Sequence, residues 1–253
     1  MAEIVRYEVT DSVAWLTMAR PQARNALNAA LRRGLLDGFR RFQADADAAV
    51  LVLAGEGEAF CAGGDLKEMA ETGLQVPPPD YVPQPGRTVQ VDKPIIAAVN
   101  GAAYGGGFLL AQSCDLCIAA ENARFAISEA RWGRGAPWAA PLPWLIPPRI
   151  ALQMLLTAEP LSAERAHQVG LVNQVVPLGE LHAAAEKLAK RIAANAPLSV
   201  QAGKAMVYAS AELPRSKAYE HAEHLFAPAY LSDDAQEGPR AFQEKRPPLW
   251  QGR

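Results

Sequence analysis

The chain has 253 residues, enough for one large domain or two small ones. Half of the residues are hydrophobic, 21% are charged and the formal net charge is −2, so the composition is globular and favours neither a nucleic-acid nor an anionic-membrane partner. Three cysteines, an odd number without disulfide-framework spacing, predict a reducing, cytoplasmic location. We expect no signal peptide and no membrane span, because no basic and apolar leader opens the sequence and no apolar run approaches the roughly 20 residues that cross a bilayer.

Short apolar runs alternate with helical patterns in the first half of the chain, which favours an α/β protein. Up to residue 72 the pattern predicts a hairpin of strands 4–9 and 13–18, a helix over 29–46 capped by Asn28, a buried strand at 50–54 and a helix over 65–72. Further along it predicts strands at 95–99, 116–119, 125–127 and 171–176, a turn at 100–104 and a buried helix opened by Gly105-Gly106-Gly107.

The second half of the sequence is mostly helical in pattern. Helices are predicted from about residues 149, 162, 178, 197 and 214 and over 233–242, and those at 180–195 and 214–228 are candidates to face other subunits. Between the two strand–turn–helix units, residues 76–86 contain five prolines in eleven positions, which excludes regular structure. We expect a surface loop there, either a lid or a tolerated insertion.

Glycines cluster in the turn at 101–107, where free N–H groups of a helix start can bind negative charge. The spacing Gly101-x-x-x-Gly105-x-Gly107 also fits a dinucleotide-binding turn of short-chain dehydrogenases. That interpretation is disfavoured, because the turn does not follow the first strand and no tyrosine is followed four residues later by lysine. A purely structural turn remains the other alternative for this motif taken alone.

Several short motifs, in order and at matching spacing from about residue 3 to residue 247, resemble the crotonase (enoyl-CoA hydratase/isomerase) family. They are Asn25-Ala26-Leu27-Asn28, Phe60-Cys61-Ala62-Gly63-Gly64-Asp65-Leu66, Ala97-Ala98-Val99-Asn100-Gly101, Gly105-Gly106-Gly107 and Asp233-Asp234-Ala235-Gln236-Glu237-Gly238 with Phe242 and Lys245-Arg246. Each motif is weak by itself, whereas the ordered set is specific. The resemblance implies an α/β fold: a crotonase-like spiral of repeated ββα units with a helical C-terminal trimerisation region.

The resemblance implies that the substrate is an acyl-CoA thioester whose α-carbon gains or loses a proton. The backbone N–H groups of Gly64 and Gly106 would stabilise the enolate oxygen, as an oxyanion hole does. Glu129 matches one of the two catalytic glutamates of the hydratases, and apolar surroundings would raise its pKa. By the same resemblance the CoA substrate is bound around Arg24, Ala26, Ala62, Asp65 and Leu66, with Lys67 as a further phosphate candidate.

The sequence departs from the hydratase pattern at Leu109, where the second glutamate would stand. Two glutamates can hold and polarise one water, whereas one carboxylate can move a proton between the α- and γ-carbons or activate a water alone. Hydration and isomerisation therefore both stay open. Leu109 is then a residue of the substrate pocket.

A second departure lies in residues 131–141, where the family builds its acyl pocket. Pro137 excludes the members that carry a catalytic aspartate there. This segment and its surroundings contain three closely spaced tryptophans, Trp132, Trp138 and Trp144. They either pack in the core or shape a pocket for a bulky acyl group. In the second case, Arg131 or Arg134 would meet a polar end of that acyl group. Of these residues Trp132 and Pro137 are the predicted substrate contacts.

We predict one crotonase-like domain, with residues 1–195 as the core that holds the acyl-CoA site and residues 196–253 as the helical oligomerisation region. The expected assembly is a homotrimer or a dimer of trimers, with no nucleic-acid partner. No metal or redox cofactor is implied, since CoA belongs to the substrate. The alternatives are another crotonase reaction (lysis, hydrolysis or decarboxylation of a CoA ester) and a catalytically weak acyl-CoA- or RNA-binding member.

Overall fold

The structure of the chain, a computed structural model, describes residues 3–73 and 75–253, so residues 1, 2 and 74 of the predicted 1–195 core lie outside it. Its strands are β1 Val5–Thr10, β2 Val13–Met18, β3 Val50–Gly55, β4 Ile95–Val99, β5 Ala102–Tyr104, β6 Leu116–Ala120, β7 Arg124–Ala126, β8 Leu161–Ser162 and β9 Gln174–Val176. Its helices are α1 Ala29–Ala44, α2 Leu66–Thr72, α3 Gly106–Gln112, α4 Leu142–Leu145, α5 Pro148–Thr157, α6 Ala163–Gln168, α7 Leu181–Ala193, α8 Pro197–Ser210, α9 Arg215–Tyr230 and α10 Asp234–Gln243. Most predicted bounds agree to within a residue or two, whereas the strand predicted over 171–176 is shorter.

The main sheet has six strands in the order β1-β2-β3-β4-β6-β9. β1 and β2 form the predicted antiparallel hairpin, with Val5 opposite Met18. All later neighbours in this sheet are parallel. Because the carboxyl ends of parallel strands meet at one edge of a sheet, the turns that follow β3 and β4 lie side by side.

Both faces of the main sheet are covered, as its continuous apolar strands require. Leu51 and Leu53 of β3 pack in the larger apolar cluster, which includes residues of α1 and α3. Val50 and Val52 alternate with them and face the cluster that contains α7. α7 therefore buries its apolar side on its own sheet, although residues 180–195 were candidates to face another subunit.

Residues 100–104, predicted as a turn, contain a strand of a second, smaller sheet. β5 pairs parallel with β7, and β7 pairs antiparallel with β8. Ala103 in β5 is fully buried and bridges to Cys61. The prediction was wrong here because a three-residue strand is too short to show an apolar alternation.

The proline-rich segment 76–86 has no regular structure, as predicted, but its second half is not on the surface. Val82 belongs to the larger apolar cluster and is 8% exposed. The Arg32 guanidinium lies 3.9 Å from the Tyr81 ring centroid and pairs with Glu68 at 2.7 Å, so the segment is held against α1 and α2. Proline content predicted the irregular backbone correctly, whereas its burial depends on distant contacts.

The C-terminal region is tied to the core through Asp115, which follows α3. The Asp115 carboxylate accepts hydrogen bonds from the Ile95 backbone N–H at 2.7 Å and from the Tyr208 hydroxyl at 2.8 Å. Lys204 of α8 pairs with the same carboxylate at 2.9 Å. Both charged side chains are only 14–15% exposed, so this contact between α8 and the sheet is largely shielded from water.

Large apolar side chains remain exposed at the end of the C-terminal region. Tyr230 is 77% exposed, and Leu231 and Phe242 are each 87% exposed. The chain end folds back, because the Trp250 indole donates to the Ala194 carbonyl at 2.8 Å. Within residues 3–73 and 75–253, none of the helices combines the length and the apolar character needed to cross a bilayer.

Candidate functional site

The first glycine turn, between β3 and α2, is shaped by a buried asparagine. Asn25 is fully buried at φ +54°, and its side-chain amide donates to the carbonyls of Glu56, Ala59 and Phe60 at 2.9–3.1 Å. These bonds satisfy backbone acceptors that a buried turn would otherwise leave unpaired. Asn25 thus holds the backbone that leads into Gly64.

The second glycine turn places the start of α3 directly against the first. Gly105 has φ +50° and ψ −119°, a combination that L side chains rarely adopt. A methyl group at Gly107 would collide with the Cys61 carbonyl, so only glycine permits this approach. Backbone hydrogen bonds from Cys61 to Ala102 (2.9 Å) and from Tyr104 to Cys61 (3.0 Å) fasten the two turns together.

The structure brings the predicted donors Gly64 and Gly106 together. A Cβ built on Gly106 would lie 3.9 Å from the Gly64 nitrogen, and one built on Gly63 would lie 3.6 Å from the Gly106 nitrogen. Gly106 is the first residue of α3, where N–H groups have no partner inside the helix. In the described part of the chain neither amide donates to a protein acceptor. Two neighbouring free amides can bind a small anionic oxygen.

Glu129 lies next to this pair of turns, at the start of a 3₁₀ turn, Glu129–Trp132. Its Oε1 would be 3.2 Å from a Cβ on Gly105, the residue before the Gly106 donor. Oε1 accepts a hydrogen bond from the Trp138 indole at 3.0 Å. Burial raises the pKa of the Glu129 carboxyl, while its own backbone amide and the Trp138 indole act in the lowering direction.

Leu109 is 4% exposed in the second turn of α3 and belongs to the larger apolar cluster. No carboxylate is present in the helix sequence GGFLLAQ. Its one polar side chain, Gln112, donates to the Trp138 backbone carbonyl at 3.1 Å. Glu129 is therefore the carboxylate that the structure places at Gly105, and α3 contributes apolar surface beside it.

The predicted CoA contacts lie around the first turn and differ in accessibility. The Ala62 N–H donates to the Arg24 carbonyl at 2.9 Å, and the Arg24 side chain is exposed. Ala26 is half-buried, and Leu66 is 47% exposed at the start of α2. These positions leave Arg24 and Leu66 open to a large ligand at the surface.

Asp65 has a structural role that the sequence did not indicate. One carboxylate oxygen pairs with Arg20 at 2.7 Å, and the other caps α2 by accepting from the Lys67 and Glu68 amides at 3.1 and 3.3 Å. The hydrogen bond from Arg20, helped by the cap bonds, holds the pKa of Asp65 below its usual value against the effect of burial. The side chain thus anchors the turn, which leaves its backbone as the predicted contact to CoA.

Asp65→Asn should lower the free energy of unfolding at neutral pH and weaken its acid dependence. Because the folded-state pKa of Asp65 is depressed, its stabilisation is complete above the unfolded pKa of about 3.9 and is lost as pH falls through the folded value. We expect a loss of about 1 kcal/mol at pH 7, since asparagine keeps the cap but not the charged pair. Urea unfolding at pH 7 and at about pH 3 checks this. Asp37→Asn, exposed on α1, is the control, and an equal acid-induced loss in wild type and Asp65→Asn would contradict it.

The three tryptophans after Glu129 separate in the structure. Trp132 is 59% exposed and Trp144 is 65% exposed, so neither of these two packs in the core of the chain. Pro137 is also exposed, at the start of the 3₁₀ turn Pro137–Ala139. Trp138 alone turns inward, and its ring makes an edge contact with Phe108 at 5.9 Å.

Sequence reasoning missed Trp138, Val82 and Asn25 as parts of this site. Trp138 was considered only for the acyl pocket, and nothing local shows that its indole reaches Glu129. The methyl group Cγ2 of Val82 would lie 3.7 Å from a Cβ on Gly106, so the proline-rich segment covers the donor region. Asn25 was part of a recognised motif, but its structural role was not recognised. That role shows in its backbone, which has the left-handed conformation that non-glycine residues rarely adopt.

Comparison with known proteins agrees with the fold. The family model described as enoyl-CoA hydratase/isomerase matches residues 8–253. Carnitinyl-CoA dehydratase of Salmonella typhi is 39% identical over 264 residues and covers 100% of both chains.

Solved structures give the same result. Enoyl-CoA hydratase EchA1 of Mycobacterium marinum is 40% identical with a TM-score of 0.91, and covers 99% of each chain. An enoyl-CoA hydratase of Mycobacterium tuberculosis is 38% identical with a TM-score of 0.90, again over 99% of each chain. These similarities confirm the predicted crotonase-like fold. The chain belongs to the enoyl-CoA hydratase/isomerase (crotonase) family and is an enzyme of its lyase or isomerase type.

Proposed function

We propose that the enzyme adds water to, or removes it from, the double bond of an enoyl-CoA thioester through an enolate. The free amides of Gly64 and Gly106 bind the enolate oxygen, and Glu129 moves the proton at the α-carbon. The observation that carries this proposal is the convergence of two unpaired backbone donors beside one buried carboxylate. The relative from Salmonella typhi is named carnitinyl-CoA dehydratase, and this name supports the same type of reaction.

The two amides supply the electrostatic part of the catalysis. Each donor aimed at a developing oxyanion contributes about 2.7–4 kcal/mol to the transition state. They are fixed by the turns that surround them, so little reorganisation accompanies the reaction. The free N-terminus of α3 adds a favourable dipole at Gly106.

The buried carboxylate supplies the proton transfer. Burial raises the pKa of Glu129 and brings it closer to the pH at which the enzyme works. A base with such a pKa exchanges a proton more readily with the weakly acidic α-carbon. In hydration Glu129 activates the water that attacks the β-carbon and returns a proton to the α-carbon. The atoms balance, because the two hydrogens and the oxygen of water all end in the hydroxyacyl product.

A second candidate reaction is isomerisation of a 3-enoyl-CoA to a 2-enoyl-CoA. It is favoured by Leu109, since the apolar side chain stands where hydratases carry a second carboxylate. One carboxylate is enough to take a proton from the α-carbon and return it to the γ-carbon. Both reactions use the same donors and the same base.

Substrate binding follows from the accessible groups at the first turn. We propose that backbone groups at Ala62, Asp65 and Leu66 and the half-buried Ala26 hold the CoA moiety. The exposed Arg24 meets a phosphate, and the exposed Lys67 is a further phosphate candidate. Leu109, Trp132 and Pro137 contribute to the acyl end.

The assay that tests the proposal uses trans-2-enoyl-CoA and 3-enoyl-CoA esters. Hydration removes the conjugated thioester absorbance of the first, and isomerisation of the second creates it. Loss of the chromophore from the 2-enoyl ester, with a 3-hydroxyacyl-CoA product, is the expected result. Gain from the 3-enoyl ester alone would establish the second candidate. CoA-ester binding without either change would overturn both, and would favour another crotonase reaction or a binding role.

We further propose a homotrimer or a dimer of trimers, located in the cytoplasm and without a metal or redox cofactor. The exposed Tyr230, Leu231 and Phe242 support self-association, since apolar side chains of this size favour burial. Three buried free cysteines support a reducing compartment. Amide donors and a carboxylate can perform the proposed chemistry without a cofactor. Light scattering after gel filtration measures the assembly, and a monomer at micromolar concentration would contradict it.

A further inference from the structure

The two oxygens of the Glu129 carboxylate have different surroundings. Oε1 accepts the hydrogen bond from the Trp138 indole at 3.0 Å. Oε2 is buried and accepts no hydrogen bond from the residues that the structure describes. A carboxylate held through one oxygen is restricted in rotation, and its other oxygen here has no hydrogen-bond partner among the described residues.

The indole that holds Oε1 is itself held from two sides. Its ring makes an edge-to-face contact with Phe108, with centroids 5.9 Å apart and an interplanar angle of 89°. Its backbone carbonyl accepts from the Gln112 side chain at 3.1 Å. Phe108 and Gln112 both belong to α3, the helix that begins with the Gly106 donor. The same rigid element therefore supports the oxyanion donor and, through Trp138, the base.

We propose that Trp138 is a positioning residue, which fixes Oε1 of Glu129 so that Oε2 exchanges the proton with the substrate α-carbon. The inference rests on the proposed function. In the step, the α-carbon proton passes to Oε2 while the C–H electron pair moves into the enolate held by Gly64 and Gly106. The indole proton stays on Nε1 throughout. With Leu109 in place of a second carboxylate, the indole restricts the geometry of the remaining one.

The hydrogen bond is tested first in the unaltered protein. Its five tryptophans give five indole resonances on ¹⁵N labelling. We expect one of them to move between about pH 4 and pH 8 with a carboxyl titration, and to lose this dependence in Glu129→Gln. If no indole resonance responds to Glu129 in this range, the proposal is overturned. This test needs no activity and no substitution at Trp138.

The second test replaces the donor while it keeps an aromatic ring. Trp138→Phe should lower kcat about tenfold and leave KM nearly unchanged, because a charge-assisted hydrogen bond is lost at the base and not at the CoA contacts. The acid limb of the kcat profile should move up by roughly one pH unit, since the lost indole stabilises the carboxylate form. Trp250→Phe is the matched control, because it removes an indole hydrogen bond of 2.8 Å to Ala194, outside the site, and should change neither quantity.

The outcomes separate this inference from the proposed function. Unchanged kcat and an unchanged acid limb in folded Trp138→Phe would overturn the positioning role. An equal loss in Trp250→Phe would show a general effect of losing an indole, and would overturn it as well. If the wild type converts neither enoyl-CoA ester, the proposed function fails, while the indole titration still decides whether Trp138 holds Glu129. If Trp138→Phe does not fold, the titrations of the wild type and of Glu129→Gln decide the same question.

Discussion

Glu129→Gln should lower kcat on an enoyl-CoA ester by about a thousandfold, which is within the range that general acid–base catalysis contributes. Glutamine has nearly the same shape and keeps an acceptor for the Trp138 indole, but it cannot take a proton at neutral pH. The affinity for the CoA ester should change little, because the predicted CoA contacts lie at the first turn. Stopped-flow or steady-state kinetics with a direct binding measurement separates the two effects.

The control for this prediction is Glu121→Gln, which alters an exposed carboxylate just after β6 and should retain full activity. A pH profile adds a second readout. Because burial raises the pKa of Glu129, kcat/KM should fall on acidification at a pH above the ordinary glutamate value of about 4.3. Full activity of Glu129→Gln would show that another group moves the proton.

Asp115→Ala should lower the free energy of unfolding by about 3–5 kcal/mol, the cost of removing one charge of a largely buried ion pair. The substitution removes the anionic partner of the Lys204 ammonium, which is 14% exposed and keeps only the Val91 and Lys93 carbonyls as acceptors, and it leaves the Ile95 N–H without its acceptor. It also frees the Tyr208 hydroxyl, so α8 loses two contacts to the core at once. Urea denaturation monitored by circular dichroism measures the change.

A double substitution isolates the charge pair. Lys204→Met combined with Asp115→Ala should recover part of the loss, because an apolar side chain then replaces a buried charge that has no counter-ion. Glu186→Ala removes an exposed partner of Lys190 and should leave stability nearly unchanged. A loss below about 1 kcal/mol in Asp115→Ala would show that water reaches Lys204 and that the tie between α8 and the sheet contributes little.

Local patterns predicted the parts of the fold whose causes are local. The hairpin of β1 and β2, the helix α1 with its Asn28 cap and the buried strand β4 each follow from a short periodic run and its end signals. The two glycine turns were also visible, since glycine marks positions where a Cβ would be strained or blocked. The pairing of Gly64 and Gly106 was predicted from the family resemblance, and the adjacent parallel strands β3 and β4 explain why the two turns meet.

Features set by contacts between distant residues could not be predicted in the same way. Ala102–Tyr104 becomes a strand only because Cys61 and β7 offer it partners on both sides. Val82 is buried in the larger apolar cluster and lies close to Gly106, which is far from it in sequence. The inward turn of Trp138, against the exposed Trp132 and Trp144, is decided by Phe108 and Glu129.

The site divides its work between main chain and side chains, and this division bears on how such an enzyme changes over evolution. The proposed enolate donors at Gly64 and Gly106 are backbone amides, so they persist through any substitution that keeps the N–H groups and the course of the backbone intact. The acid–base half consists of exchangeable side chains at positions 109, 129 and 138. On this proposal, new reaction types arise through a few codon changes in that half, while the pair of amides that would hold an enolate is inherited unchanged.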